Sequence, residues 1–152
     1  MIIIQDTREK QPWNFEAYDG VEQVVAKIDA GDYVIQGQEQ LIAIDRKKSV
    51  SELSINLGAQ HQRFARELER MGNFEHRYVI CEFPYEKLVM FPKGANLPKH
   101  VLKKIRVSGK FLVRRVEELS EKYGVKFLFC MNRMEAQDRA MELICEAIDG
   151  ES

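Results

Sequence analysis

The stretch Gly31-Asp32-Tyr33-Val34-Ile35-Gln36-Gly37-Gln38-Glu39-Gln40-Leu41-Ile42-Ala43-Ile44-Asp45-Arg46-Lys47 decides how this chain is read. Two apolar runs, 32–36 and 41–45, flank a polar turn at Gln36-Gly37-Gln38, where glycine supplies the backbone freedom a turn needs. They read as the two strands of a hairpin. In a hairpin the start of one strand lies beside the end of the other, so Asp32 and Asp45 are expected to project together. Side chains alternate along a strand, which puts Asp45 and Lys47 on one face and Arg46 on the other.

Two neighbouring carboxylates repel unless a cation lies between them. Mg²⁺ suits such a pair: it takes one or two carboxylates and keeps waters for a substrate phosphate. Lys47 reaches the same pocket, where it can orient a water or neutralise charge developing on phosphorus. The backbone carbonyl of Arg46 is left for the metal, and Asp6, at the end of the first strand, is expected close by. This is the donor set that metal-dependent phosphodiester hydrolysis needs. Asp-x-Lys alone is a weak signal, because a charged strand end facing water carries it as readily.

Outward from the hairpin the elements alternate. Ile2–Gln5 reads as a first strand, and Val21, Val24, Val25 and Ile28 recur at helical spacing, with Gly31 ending that helix. Short helices are expected over Ser49–Leu57 and Gln60–Met71, the latter with Phe64, Leu68 and Met71 on one face. Tyr78–Phe83 reads as a central strand, Phe91–Pro98 as a loop, and Val125–Cys130 as the last strand. A helix over Gly109–Tyr123 is expected between Ser108 as N-cap and Gly124 as terminator. The closing helix runs from Arg133 to Ile148, capped by Asn132, with Met134, Met141, Ile144 and Ile148 inward. The pattern predicts an α/β fold over residues 1–152 as one domain: a central mixed sheet of about five strands flanked by helices.

Apolar residues make up 45% and charged residues 31% of the 152, as in ordinary globular proteins. No apolar run approaches the ~20 residues that span a bilayer, and MIIIQDTREK lacks the basic start of a signal peptide. A cytoplasmic protein without a membrane partner is expected. Cys81, Cys130 and Cys145 are odd in number, form no CxxC pair and lie in apolar stretches, so all three are expected to be buried packing residues. Trp13 is expected to anchor a loop on the core. The net charge of −1 hides one asymmetry. From Pro92 to Val116 there are Lys93, Lys99, Lys103, Lys104, Arg106, Lys110, Arg114 and Arg115, and no acidic residue. A run without acids favours phosphate contacts over a merely solvated face.

Asp6-Thr-Arg-Glu9, Gly31-Asp32-Tyr33 and Ile44-Asp45-Arg46-Lys47 resemble, in order and spacing, the XPF/Hef family of structure-specific endonucleases, within the PD-(D/E)xK superfamily. That family carries Asp-x-Arg-Glu, then Gly-Asp-Tyr, then Glu-Arg-Lys-x-x-x-Asp. The likeness continues through Arg63-Phe64, Val79–Phe83, Ser108-Gly109-Lys110 and the closing strand and helix. It implies a restriction-endonuclease-like fold, Mg²⁺ or Mn²⁺ dependence, cleavage of fork, flap or junction DNA in repair or recombination, and dimerisation through the nuclease domain. It implies Asp32, Asp45, Lys47 and Asp6 as catalytic residues, with Arg8, Glu9 and Arg46 supporting them and Arg63 on phosphate. The family usually adds a helix-hairpin-helix DNA-binding domain, which these residues do not contain; a stand-alone domain served by a separate DNA-binding partner, nucleoid-associated or phage-encoded, is expected. Two positions depart from the pattern. Asp45 replaces the family's Glu, and Ser51 stands where its last Asp would be, with Glu52 one residue later. A one-residue shift turns a helical side chain by about 100°, which leaves the role of Glu52 open. The competing expectation is a non-catalytic DNA-binding subunit; against it, Asp6, Asp32, Asp45 and Lys47 are all kept.

Overall fold

The computed structural model describes residues 1–150. Its core is a mixed sheet of β1 (Ile2–Asp6), β2 (Glu22–Ala26), β3 (Tyr33–Ile35), β4 (Ile42–Lys47), β5 (His76–Cys81) and β6 (Lys126–Phe129), in the order β2-β1-β3-β4-β5-β6. β3 runs antiparallel to both β1 and β4, while β4, β5 and β6 are mutually parallel. All six residues of β4 are buried, which explains why 41–45 is almost continuously apolar.

The two faces of the sheet carry different layers. Ile4, Val34, Ala43, Val79 and Cys81 meet α1 (Val50–Leu57), α2 (His61–Arg70) and α5 (Gly109–Tyr123). Ile3, Tyr33, Ile35, Ile42, Ile44 and Ile80 meet Trp13, Phe15 and α6 (Arg133–Asp149). Phe64, Leu68 and Met71 do form the buried face of α2. Each such apolar side chain contributes about 1.5–3 kcal/mol on burial.

Local chemistry sets the helix ends. Ser49, Ser108 and Asn132 accept hydrogen bonds from the backbone N–H three residues on, as N-caps do. Gly124 ends α5 at φ +64°. Two short helices, α3 (Tyr85–Val89) and α4 (Lys99–Leu102), flank the 91–98 loop. α5 begins against α3 so closely that a Cβ on Gly109 would lie 1.9 Å from the Val89 carbonyl oxygen.

Several expectations are corrected. Residues 22–26 form a sixth strand, not a helix: β2 pairs in parallel with β1 at the sheet edge. As an edge strand it leaves Val25 62% exposed, so its valines followed no period-2 pattern and matched the helical template by coincidence. Their β-branching was the better guide. Gly31 therefore ends no helix. It turns the chain into β3 at φ +76°, where a Cβ would stand 3.0 Å from the Ile44 carbonyl oxygen. Met134 is exposed rather than inward, at the start of α6 just before its first buried residues Ala136 and Gln137, and Cys145 is exposed too. Cys81 and Cys130 are buried as expected; burial first, then the nearby Asp45 charge, pushes the Cys81 thiol well up and leaves it unreactive. No helix among the described residues is long and apolar enough to cross a membrane.

Candidate active site

Backbone hydrogen bonds join three strand ends at one point. Asp6 N–H donates to the Asp32 carbonyl at 2.8 Å, and Asp32 N–H donates to the Ile44 carbonyl at 2.7 Å. The alternation then does the rest. Ile4, Val34 and Ala43 face the α1/α2 layer, so Asp6, Asp32, Asp45 and Lys47, an even number of residues away, face it too. Beyond the apolar core, where α1 and α2 diverge from the strand ends, they line a cleft of about 340 Å³. Arg8, Glu9, Arg46, Glu52 and Arg63 also border it.

The carboxylates differ in how they are held. Asp32 Oδ2 accepts from the Arg46 backbone N–H at 2.7 Å. Burial first, and the charge of Asp45 second, push the Asp32 carboxyl far above the usual carboxylate range, against the pull of that N–H. Asp45 Oδ2 is buried with no hydrogen-bond donor, although Lys47 Nζ stands 3.1 Å away as an ion pair. Lys47 also lies 4.8 Å from the ring centroid of Phe64 on α2. Burial alone would lower the Lys47 ammonium; the charges of Asp45, Glu52 and Asp32 outweigh it and hold it above its ordinary value.

Asp6 is differently engaged. Its Oδ1 accepts from Ile28 N–H at 3.2 Å, and its Oδ2 from Arg8 Nε at 2.8 Å. Burial would raise its carboxyl, but these bonds win and hold it below the ordinary value. The Arg8 side chain is 70% exposed and extends over the cleft mouth, within reach of the Asp32 and Glu67 charges.

Glu52 caps α1. Its N–H donates to Ser49 Oγ at 3.1 Å and its Oε1 accepts from Lys48 N–H at 3.1 Å. Ser49-x-x-Glu52 is thus a capping-box spacing that the sequence already displayed. Arg46 points through the sheet, as alternation required. There it pairs with Glu82, a residue the sequence reading passed over. The cleft further includes Lys10, Lys48, Asn56, Glu67 and Arg70, none of them expected there. Three of these were findable by helical spacing: Asn56 is one turn beyond Glu52, and Glu67 and Arg70 share one stripe of α2 with Arg63. Arg63 stands 3.9 Å from Glu67, a distant and exposed pairing. The expected phosphate-binding residues Lys99, Lys103, Lys104, Arg106, Lys110, Arg114 and Arg115 do not border the cleft. All but Arg115 are exposed, on α4, the segment after it and α5. Arg115 lies over the Phe111 ring at 5.0 Å, and its Nε is buried without a partner.

The donor chemistry fits a hard divalent cation. Asp32 and Asp45 border the same cleft, the Asp32 carboxyl is raised by burial and by the charge of Asp45, and the buried Asp45 Oδ2 has the Lys47 ammonium beside it. Among the described residues no cluster of three or more acidic, His or Cys side chains surrounds a single point.

No protein-family model and no curated protein sequence matches this chain. Among solved structures it is similar to XPF from Aeropyrum pernix, with a TM-score of 0.64 and 19% identity over 90% of this chain and 60% of that one. XPF from Aeropyrum pernix in complex with DNA gives a TM-score of 0.64 and 18% identity, over 99% of this chain and 64% of that one. The chain thus spans about three-fifths of the length of the XPF chains it matches. With its mixed six-stranded sheet flanked by helices and this structural likeness, the chain has an XPF-like α/β fold of the restriction-endonuclease type.

Proposed function

We propose that this chain is a metal-dependent DNA endonuclease acting on branched DNA. The observation that carries the reading is the convergence of Asp32, Asp45 and Lys47 in one cleft, at the adjoining ends of β3 and β4. The likeness to XPF, one structure of which is a complex with DNA, supports a DNA substrate.

Asp32 and Asp45 would hold Mg²⁺ or Mn²⁺, with Asp6 as the neighbouring third carboxylate. The cation supplies the charge neutralisation and the acidification of water that phosphodiester hydrolysis needs. Lys47, charged at any physiological pH, offers its ammonium to a phosphate oxygen on which negative charge develops. Arg8 and Arg63 border the same cleft and offer guanidinium groups to the flanking phosphates. The exposed cations from Lys93 to Arg114 hold more distant backbone without reading sequence. A homodimer through this domain, a separate DNA-binding partner, a cytoplasmic location and a role in repair or recombination complete the reading.

The test is to incubate the protein with labelled fork, flap, four-way junction, single-stranded and duplex DNA, in Mg²⁺, Mn²⁺ or EDTA. Cation-dependent cutting that favours branched substrates supports the proposal. Equal cutting of plain duplex removes the structural preference. Binding to forks without cutting in either cation replaces the enzyme by a DNA-binding subunit.

A further inference from the structure

The carboxylate pair is held from behind. The backbone of Arg46 serves the cleft, while its side chain serves the opposite face of the sheet. Its N–H holds Asp32 Oδ2 at 2.7 Å. Its guanidinium is almost wholly buried, and every nitrogen of it is engaged. Nε stands 2.8 Å from Glu82 Oε2, Nη2 3.2 Å from Glu82 Oε1, and Nη1 2.7 Å from the Gln11 carbonyl oxygen. Glu9 adds a longer pairing at 3.6 Å. The plane of this network is closed by Trp13, whose ring lies 4.9 Å from the guanidinium carbon and whose Nε1–H donates to Glu82 Oε2 at 2.6 Å. Trp13 also stacks on Tyr33, the residue after Asp32, with ring centroids 5.1 Å apart, and its backbone N–H donates to the Tyr33 hydroxyl at 2.9 Å.

Two neighbours of Asp32, Tyr33 along the chain and Arg46 across the hairpin, are therefore fixed by one buried assembly. Glu82 is its hub: it alone accepts from both Arg46 and Trp13. A bidentate carboxylate–guanidinium pair fixes orientation as well as distance. Outer partners that orient a ligating group commonly govern how tightly the metal is held.

We propose that Glu82 is a positioning residue for the carboxylate pair, acting through Arg46 from the far side of the sheet. The inference rests on the reading that Asp32 and Asp45 hold a divalent cation. Glu82 touches neither substrate nor cation; it fixes the Arg46 backbone, and the Arg46 N–H fixes Asp32.

The experiment is a Mn²⁺ titration of the full chain, read from the free-Mn²⁺ electron paramagnetic resonance signal, well below each variant's thermal transition. Glu82→Gln keeps the shape but weakens the pair with Arg46. Trp13→Phe keeps an aromatic ring there and deletes the donor to Glu82, so it carries the test if Glu82→Gln does not fold. Gln137→Ala is the structural control. It removes a buried α6 side chain that accepts from Asn14 N–H at 2.9 Å on the same face, but makes no bond to Glu82, Arg46 or Asp32. The expected result is Mn²⁺ binding weakened about tenfold or more in Glu82→Gln, less in Trp13→Phe, and unchanged in Gln137→Ala. Wild-type affinity in a folded Glu82→Gln or Trp13→Phe protein overturns the inference and leaves the proposed site standing. Equal weakening in Gln137→Ala overturns it as well, by showing general loosening. Absence of Mn²⁺ binding in the wild type overturns the site and the inference together.

Discussion

Lys47 Nζ stands 3.1 Å from Asp45 Oδ2, two residues apart on the same side of strand β4 and both buried. The pair is a product of strand geometry: no loop conformation is needed to bring the charges together. Replacing Lys47 by Met keeps the stem but deletes the ammonium and its contact with the Phe64 ring. Loss of one charge-stabilising donor at a phosphoryl centre is expected to reduce the cleavage rate by roughly 10²–10³-fold. Single-turnover cleavage with saturating Mg²⁺ measures this. A reduction below about threefold would remove Lys47 from the chemistry.

Asp32 carries a pH signature. Burial and the Asp45 charge raise its carboxyl in the folded state above its unfolded value. The folded chain therefore binds the proton more tightly, and this favours folding at acidic pH. That contribution is lost as pH rises above the ordinary carboxylate range towards the raised folded value. In EDTA, Asp32→Asn should thus be more stable than the wild type at pH 7–8, by about 1–3 kcal/mol, or several degrees in Tm. The difference should vanish near pH 4. Added Mn²⁺ should raise the Tm of the wild type and not of the variant. Thermal unfolding at both pH values checks the sign, and a less stable variant at neutral pH would refute it.

Gly31→Ala places a Cβ 3.0 Å from the Ile44 carbonyl oxygen at a φ of +76°. A destabilisation of about 1–3 kcal/mol is expected. Because the next residue is Asp32, Mn²⁺ affinity should fall with it. A thermal melt and a Mn²⁺ titration of the same sample test both effects; an unchanged Tm would contradict the strain.

The basic segment predicts a salt effect. Lys103 and Lys104 are exposed beside α4 and away from the cleft. Changing both to Ala should weaken DNA binding without sequence preference. It should also reduce the slope of log K against log salt by about 2, at ~0.9 per neutralised phosphate. Fluorescence anisotropy across a salt series gives the slope. An unchanged slope means that these lysines do not touch the backbone.

Much of this architecture was legible because local rules were satisfied locally. The 32–47 hairpin had a turn glycine between two apolar runs, and both α5 and the closing helix announced their caps at Ser108, Gly124 and Asn132. Strand alternation alone separated Arg46 from Asp45 and Lys47. What escaped notice depended on partners far along the chain. β2 is a strand because it meets β1 at the sheet edge, which its own valines do not reveal. Glu82 matters through Arg46, 36 positions away, and Trp13, 69 positions away, a constellation that no spacing rule describes. The engagement of Asp6 by Arg8 and Ile28 is likewise a consequence of tertiary placement, although Asp6-x-Arg8 stood in plain view.

Cleavage of a labelled DNA fork by the wild type and by Asp45→Ala, in Mn²⁺ and in EDTA, tests the central claim most directly. The account predicts cutting by the wild type in Mn²⁺ alone, and its disappearance in a variant that still folds and still binds the fork. Cutting that persists in Asp45→Ala, or that EDTA leaves untouched, would contradict it.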